Sequence, residues 1–261
     1  MSNTVANLLF PISKEDFTTN IGETRWHHFK QTSVESHNEE FLNDLNQFLG
    51  RNDICYPAVR LVRDGYPIPT DQYYRANLNG EPGGRFFQID RAFEMLNEGS
   101  TLIIQTAYSN MSSFERYSQE LADGFGCQVD LSVFITPKHS VGLRAHYDTS
   151  SSFIIQLFGA KRWRVYEPYR TFPLRNNTFS FAEFQKTALV ADVILRKEER
   201  LYIPRGWIHE PSTQEGLSIR LTISLELESF IETMRQGRLN NTRFAEIASK
   251  EKLREIMSLL R

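Results

Sequence analysis

Leu217-Ser-Ile-Arg-Leu-Thr-Ile-Ser-Leu-Glu-Leu227 alternates along its whole length. Leu217, Ile219, Leu221, Ile223, Leu225 and Leu227 fall on one side, and Ser218, Arg220, Thr222, Ser224 and Glu226 on the other. Successive side chains of an extended chain point to opposite faces, so a period of two predicts a strand with one apolar face. The polar face is then either wet or lines a site. Upstream, Val129, Leu131, Val133 and Ile135 alternate in the same way with Asp130, Ser132, Phe134 and Thr136. Residues 153–158 and 162–166 flank Gly159-Ala160, which predicts a hairpin, and 190–195 and 201–203 read as further strands. Many short strands separated by turns predict an antiparallel barrel or jelly roll.

The first half of the chain is more helical. Ser13 is placed to cap a helix that begins with Glu15 and Asp16 in its first turn. Phe41, Leu42, Leu45, Phe48 and Leu49 recur at helical spacing over 38–49, and Gly50 ends that run. Residues 90–96 and 113–125 also read as helices, and 56–62 and 101–105 as strands, with Asp64-Gly65-Tyr66-Pro67 as a turn. After Glu228 the pattern is helical again. Asn241-Thr242 is a cap, and Phe244, Ile247, Leu253, Ile256, Met257 and Leu260 form one stripe. The expectation is a mainly β domain with flanking helices over 1–228, its helical part reaching about 125 and its barrel core covering about 126–228. A short helical tail, 229–261, follows.

A chain of 261 residues with 40% hydrophobic and 24% charged residues is ordinary for a soluble globular protein. The formal net charge of −2 carries no basic footprint for nucleic acid. Cys55 and Cys127 make neither a disulfide framework nor a metal-ligand spacing, and both are expected to be reduced and buried. The N-terminus lacks a basic region ahead of an apolar run, and no apolar run reaches membrane length. These features predict a cytoplasmic protein with no membrane or nucleic-acid partner.

Chemistry concentrates in His146-Tyr-Asp148 and in Leu201-Tyr-Ile-Pro-Arg-Gly-Trp-Ile-His209. In an extended segment His146 and Asp148 share a face, and His209 follows a strand-like segment that the fold can bring beside them. Two imidazoles and a carboxylate on one face of an octahedron leave the opposite face open, which suits non-haem Fe(II). By spacing alone the three residues are equally a metal site and packed core side chains. Lys161, by its own context, is a solvated lysine beside Arg162.

Thr136-Pro137 through Gly142 to Asp148, then 153–166 with Gly159, Lys161 and Trp163, then 201–209 with Pro204, Gly206 and His209, resemble the JmjC-type 2-oxoglutarate oxygenases. Within these the chain is most similar to the cupin-like ribosomal oxygenase group. The likeness is specific over 129–224, weaker but consistent from Leu8 onward, and fades after Glu228. It implies a double-stranded β-helix, a squashed antiparallel jelly-roll barrel, with His146, Asp148 and His209 holding Fe(II). It also implies that Lys161 pairs with the far carboxylate of 2-oxoglutarate. A charge-assisted pair of that kind contributes roughly 1.5–3 kcal/mol. Thr136 matches a polar position lining the same pocket, and Ser224 matches a serine one residue out of step.

Two departures stand out. Ser132 and Phe134 occupy positions where the family often has asparagine and tyrosine, so the phenol is missing. Arg220, in Arg220-Leu-Thr222, resembles the carboxylate-binding arginine of other 2-oxoglutarate oxygenases, although Lys161 has the stronger local match. Trp163 and Tyr166 are expected in the barrel wall, Gly142 and Gly206 at special backbone conformations, and Arg144 either at substrate or in solvent.

The implied reaction is hydroxylation of a protein or peptide side chain with O2, coupled to decarboxylation of 2-oxoglutarate to succinate and CO2. The ribosomal oxygenases carry sizeable regions after the barrel where this chain has residues 229–261, which points toward a smaller partner such as a natural-product precursor peptide. The alternatives are N-methyl demethylation at the same site and a non-catalytic cupin-like metal-binding module. The chain is expected to be a monomer or a homodimer.

Overall fold

The computed structural model describes residues 4–226 apart from 32–36, 77–84, 175 and 214. Two short helices open the chain, α1 (Thr4–Leu9) and α2 (Lys14–Asn20), followed by β1 (His27–Phe29) and α3 (Asn38–Leu49). Next come β2 (Val59–Arg63), β3 (Tyr66–Pro67), β4 (Tyr74–Ala76), β5 (Arg85–Phe87), α4 (Ile89–Asn97) and β6 (Thr101–Ile104). The long helix α5 (Ser112–Phe125) leads into the barrel strands β7 (Gln128–Thr136), β8 (Ser151–Phe158) and β9 (Ala160–Tyr166). After α6 (Phe181–Phe184) come β10 (Leu189–Arg196), β11 (Arg200–Ile203), β12 (Ile208–Ser212) and β13 (Ser218–Glu226). The predicted tail helix, with its Asn241-Thr242 cap and apolar stripe, lies outside the described residues, as does Leu227.

All strand pairs among the described residues are antiparallel. The larger sheet runs β1-β11-β8-β13-β7-β6-β2-β3, and a smaller one runs β10-β9-β12. β13, the strand read most clearly from the sequence, lies at the centre of the larger sheet, between β8 and β7. Its two faces have different neighbours. Ile223 pairs with Phe153, and Phe153 packs in an aromatic cluster with Phe17 of α2, Phe125 of α5 and Tyr202 of β11. The apolar face therefore seats the helices. The polar face looks into the barrel, where Ile154, Leu201 and Ile203 of the larger sheet meet Trp163, Val165, Ala191 and Leu195 of the smaller. Burying those apolar surfaces between two sheets is the main force closing the barrel.

Local chemistry explains most elements. The Ser13 side chain accepts the Asp16 amide at 3.0 Å, as its position predicts. Gly50 does end α3, but at φ −77° rather than in the left-handed cap that glycine usually supplies. Arg200, almost fully buried, ties the N-terminal segment to the barrel by donating to the carbonyls of Asn7, Phe10 and Gln31.

Two expectations need correction. Cys55 is exposed and Cys127 only half-buried, although burial does push the Cys127 thiol up to about 11. More consequentially, 153–158 and 162–166 do not form a hairpin. β8 pairs with β11 and β13, whereas β9 pairs with β10 and β12, so the chain turns a corner between sheets at Gly159. A corner and a tight hairpin both need positive φ, so the glycine signal is the same for each. Gly159 has φ +69°, and a Cβ there would stand 2.0 Å from the Leu217 carbonyl oxygen. Gly159→Ala combines left-handed strain with a backbone clash. It is expected to cost about 3 kcal/mol or more, a fall of roughly 6–12 °C in thermal midpoint by calorimetry.

Candidate metal centre and anion pocket

His209 lies within β12 itself, not merely after a strand. Pro211 obscured that strand in the sequence, and it is tolerated because β12 is an edge strand of the smaller sheet. His146 and Asp148 sit on the connection from β7 to β8, where little is regular except short bridges of Val141 with Ser212 and His146 with His209. The His146–His209 bridge is reciprocal: the His209 amide donates to the His146 carbonyl at 2.8 Å and the His146 amide to the His209 carbonyl at 3.2 Å. Gly206, at φ +85°, donates its amide to the Asp148 carbonyl at 2.9 Å. A Cβ at Gly206 would stand 2.6 Å from the Arg170 carbonyl oxygen, so this turn needs glycine.

The three side chains converge, each offering one ligand atom, and all three atoms lie within 4.8 Å of one another. Asp148 Oδ1 is 3.8 Å from His146 Nε2, and its Oδ2 is 3.5 Å from His209 Nε2. Each imidazole also has its far nitrogen engaged. His146 Nδ1 donates to the Arg144 carbonyl at 2.7 Å and His209 Nδ1 to the Trp207 carbonyl at 3.1 Å. A carbonyl only accepts, so both rings carry their proton on Nδ1 and turn an Nε2 lone pair inward. Burial, with His146 beside it, holds His209 well below the usual histidine range and keeps it neutral.

Behind the triad the barrel interior is cationic. Lys161, at 1% exposure, donates to Thr136 Oγ1 at 2.8 Å, and Thr136 Oγ1 is 3.2 Å from Thr101 Oγ1. The lysine that its local context alone would leave solvated is thus fully buried. Burial, and then nearby Arg220, drive its ammonium well below the usual lysine range. Gly142 has no special backbone angle. It closes this end of the pocket, since an added Cβ would stand 3.3 Å from Lys161 Nζ.

Arg220, at 4% exposure, lies with its guanidinium 3.9 Å from the Phe134 ring centre and 4.6 Å from that of Trp163. Its Nη1 reaches Thr222 Oγ1 at 3.2 Å. Burial lowers Arg220 to about 9, and Asp148 acts in the opposite direction. Among the described residues neither Lys161 nor Arg220 has a carboxylate ion pair. Arg220 Nε, Trp163 Nε1 and Gln156 Oε1 are buried without a protein partner.

The other expected residues are more distant from these cations. Ser132 shares the inner face but hydrogen-bonds Asp130 at 3.5 Å. Ser224 lies further along β13, opposite Asp130 and Ser152. Sequence reasoning gave no role to Thr101, or to Gln156 within the matched 153–166 stretch, because neither residue type signals a site by itself. It also gave Trp163 too small a part, because that ring spans from Arg220 to His209, 5.9 Å between ring centres.

A two-sheet antiparallel barrel with three convergent ligand atoms defines a cupin-like fold bearing a candidate metal centre. Residues 107–233 match the family model described as the JmjC domain. It is 32% identical over 184 residues to the bifunctional lysine-specific demethylase and histidyl-hydroxylase NO66 of Drosophila persimilis, covering 69% of this chain and 25% of that protein. It is 35% identical over 173 residues to ribosomal oxygenase 2 of Mus musculus, covering 66% of this chain and 36% of that protein. The chain thus spans about a quarter to a third of the length of these curated relatives.

Similar solved structures include the ribosomal oxygenase YcfD from Escherichia coli in complex with cobalt and succinic acid. That match has TM-score 0.55 at 17% identity and covers 93% of this chain and 57% of the other. YcfD in complex with cobalt and 2-oxoglutarate matches with TM-score 0.53 at 18% identity, over the same shares of the two chains. They establish the fold. Among the described residues no helix is long and apolar enough to cross a membrane.

Proposed function

We propose that this chain is an Fe(II)- and 2-oxoglutarate-dependent oxygenase that hydroxylates a side chain of a protein or peptide. The observation that carries this reading is the buried Lys161 head group, which has no carboxylate partner among the described residues, in the same barrel that holds three convergent metal-ligand atoms. A buried charge is costly unless paired, so a cation fixed there is explained by an anionic ligand. A ligand that also reaches the metal needs a second donor group, and 2-oxoglutarate has both.

The donor set fits the metal. His146, Asp148 and His209 would hold Fe(II) and leave the opposite coordination face open. With 2-oxoglutarate and O2, iron supplies the oxidising power to convert an unactivated C–H into C–OH while 2-oxoglutarate becomes succinate and CO2. The chain's own residues do the rest. Lys161 and Thr136 fix the far carboxylate, the Arg144 and Trp207 carbonyls hold the imidazoles in one tautomer, and Trp163 and Phe134 keep the interior dry. The relatives' names, ribosomal oxygenase and histidyl-hydroxylase, favour a polypeptide substrate.

The test is mass spectrometry of peptides from cells that make the wild-type chain or an Asp148→Ala form. Gain of one oxygen atom on a discrete residue, present only with the wild type, is expected. Loss of a methyl group instead would replace hydroxylation by N-demethylation, and identical peptide masses would sink the enzymatic reading.

A further inference from the structure

We infer that the tip of the β2–β3 hairpin is a positioning device for the candidate ligand His146, acting through Arg144. The inference rests on the metal reading above and adds residues that reading does not use. The reciprocal bridge to His209 pins the His146 backbone at one point of an otherwise irregular connection, but it does not set the orientation of the His146 ring. The Asp64-Gly65 turn has both residues at positive φ, 51° and 80°, the geometry of a tight hairpin.

That turn aims the Asp64 carbonyl at Arg144, whose Nε donates to it at 2.8 Å. The next residue, Tyr66, lays its ring under the guanidinium, 4.2 Å from ring centre to Cζ. The approach is so close that a Cβ on Gly65 would stand 2.5 Å from Arg144 Cγ and 3.0 Å from its backbone nitrogen. Arg144 is thereby clamped on one side. Its carbonyl, on the other side, accepts the His146 Nδ1 proton at 2.7 Å. The hairpin, through Arg144, sets both the orientation of the His146 ring and the nitrogen left free for metal. Arg144 is thus neither a free surface side chain nor, in this arrangement, a substrate contact. His209 needs no such clamp, because its strand and the Trp207 carbonyl hold it.

The experiment compares the wild-type chain with Arg144→Ala, Gly65→Ala, Tyr66→Ala and Tyr66→Phe. Two readouts are used: Co(II) affinity by chelator competition, and the 15N shifts of the His146 ring in the metal-free protein. Arg144 and Tyr66 are exposed, so their removal leaves the core intact. Arg144→Ala and Gly65→Ala are expected to weaken Co(II) binding about tenfold and to mix the two tautomers of His146. Tyr66→Ala should weaken binding less, and Tyr66→Phe, which keeps the stacked ring, should restore the wild-type value. Co(II) affinity within about twofold of wild type for Arg144→Ala and Gly65→Ala, with an unchanged His146 tautomer, overturns the inference. A wild type that binds no Co(II) overturns the metal reading instead, and the tautomer comparison then still decides whether the hairpin positions His146.

Discussion

Asp148→Ala is expected to give a folded protein that forms no succinate and binds divalent metal about 100-fold more weakly or worse. The carboxylate lies 3.5–3.8 Å from the two imidazoles, and its side chain is two-fifths exposed. Its backbone carbonyl, which takes the Gly206 amide, remains in the variant. Stability should therefore change by no more than about 0.5 kcal/mol, as for a surface substitution. His209→Ala is the less clean test. That ring is buried against Trp163, and removing it leaves a cavity as well as a missing ligand. Metal affinity and succinate release measured on Asp148→Ala at unchanged thermal midpoint separate the site from the fold.

Lys161→Met is expected to raise the KM for 2-oxoglutarate roughly 10- to 100-fold, the equivalent of a charge-assisted bond of about 1.5–3 kcal/mol. The same change should raise the thermal midpoint of the ligand-free protein. The amino group is fully buried, has a threonine hydroxyl as its one hydrogen-bond partner among the described residues, and lies near Arg220, so a methionine of similar length removes a buried polar group that is costly to charge. Lower function with higher stability is the signature of a residue kept for its ligand.

The depressed ammonium also fixes a pH sign. An anion that needs Lys161 charged binds with proton uptake, so affinity falls as pH rises through the lowered lysine range. Calorimetry in two buffers of different ionisation enthalpy reads that proton. Arg220→Met is the control. Should it raise KM while Lys161→Met does not, the far carboxylate belongs to Arg220.

How far the sequence carried depended on how each position is held. Alternation in 129–136 and 217–226 is a local consequence of burial on one face, so the barrel strands were legible. The corner at Gly159 was not, because the same glycine geometry serves a hairpin. The candidate triad was legible as residue types, but the shared face of an extended strand expected for His146-x-Asp148 does not hold, because both lie on an irregular connection between β7 and β8. Its third member was legible only as a residue near a strand, because Pro211 disguised β12. The interior could not be read at all from residue types. Lys161 looked like a surface lysine beside Arg162, and the polar face of β13 could equally have been wet. Only pairing with β7 and β8 turns Arg220 inward, between Phe134 and Trp163. Arg144 was undecided because its clamp comes from a hairpin some 80 residues earlier.

One titration bears most directly on the central claim, that the barrel interior is a joint metal and dicarboxylate site. 2-Oxoglutarate is titrated calorimetrically, without O2, into the protein loaded with Fe(II), into the metal-free protein and into Lys161→Met with Fe(II). One molecule should bind per chain with metal present, with affinity reduced sharply by loss of either the metal or the lysine. Binding of equal strength in all three samples, or none in the first, contradicts it.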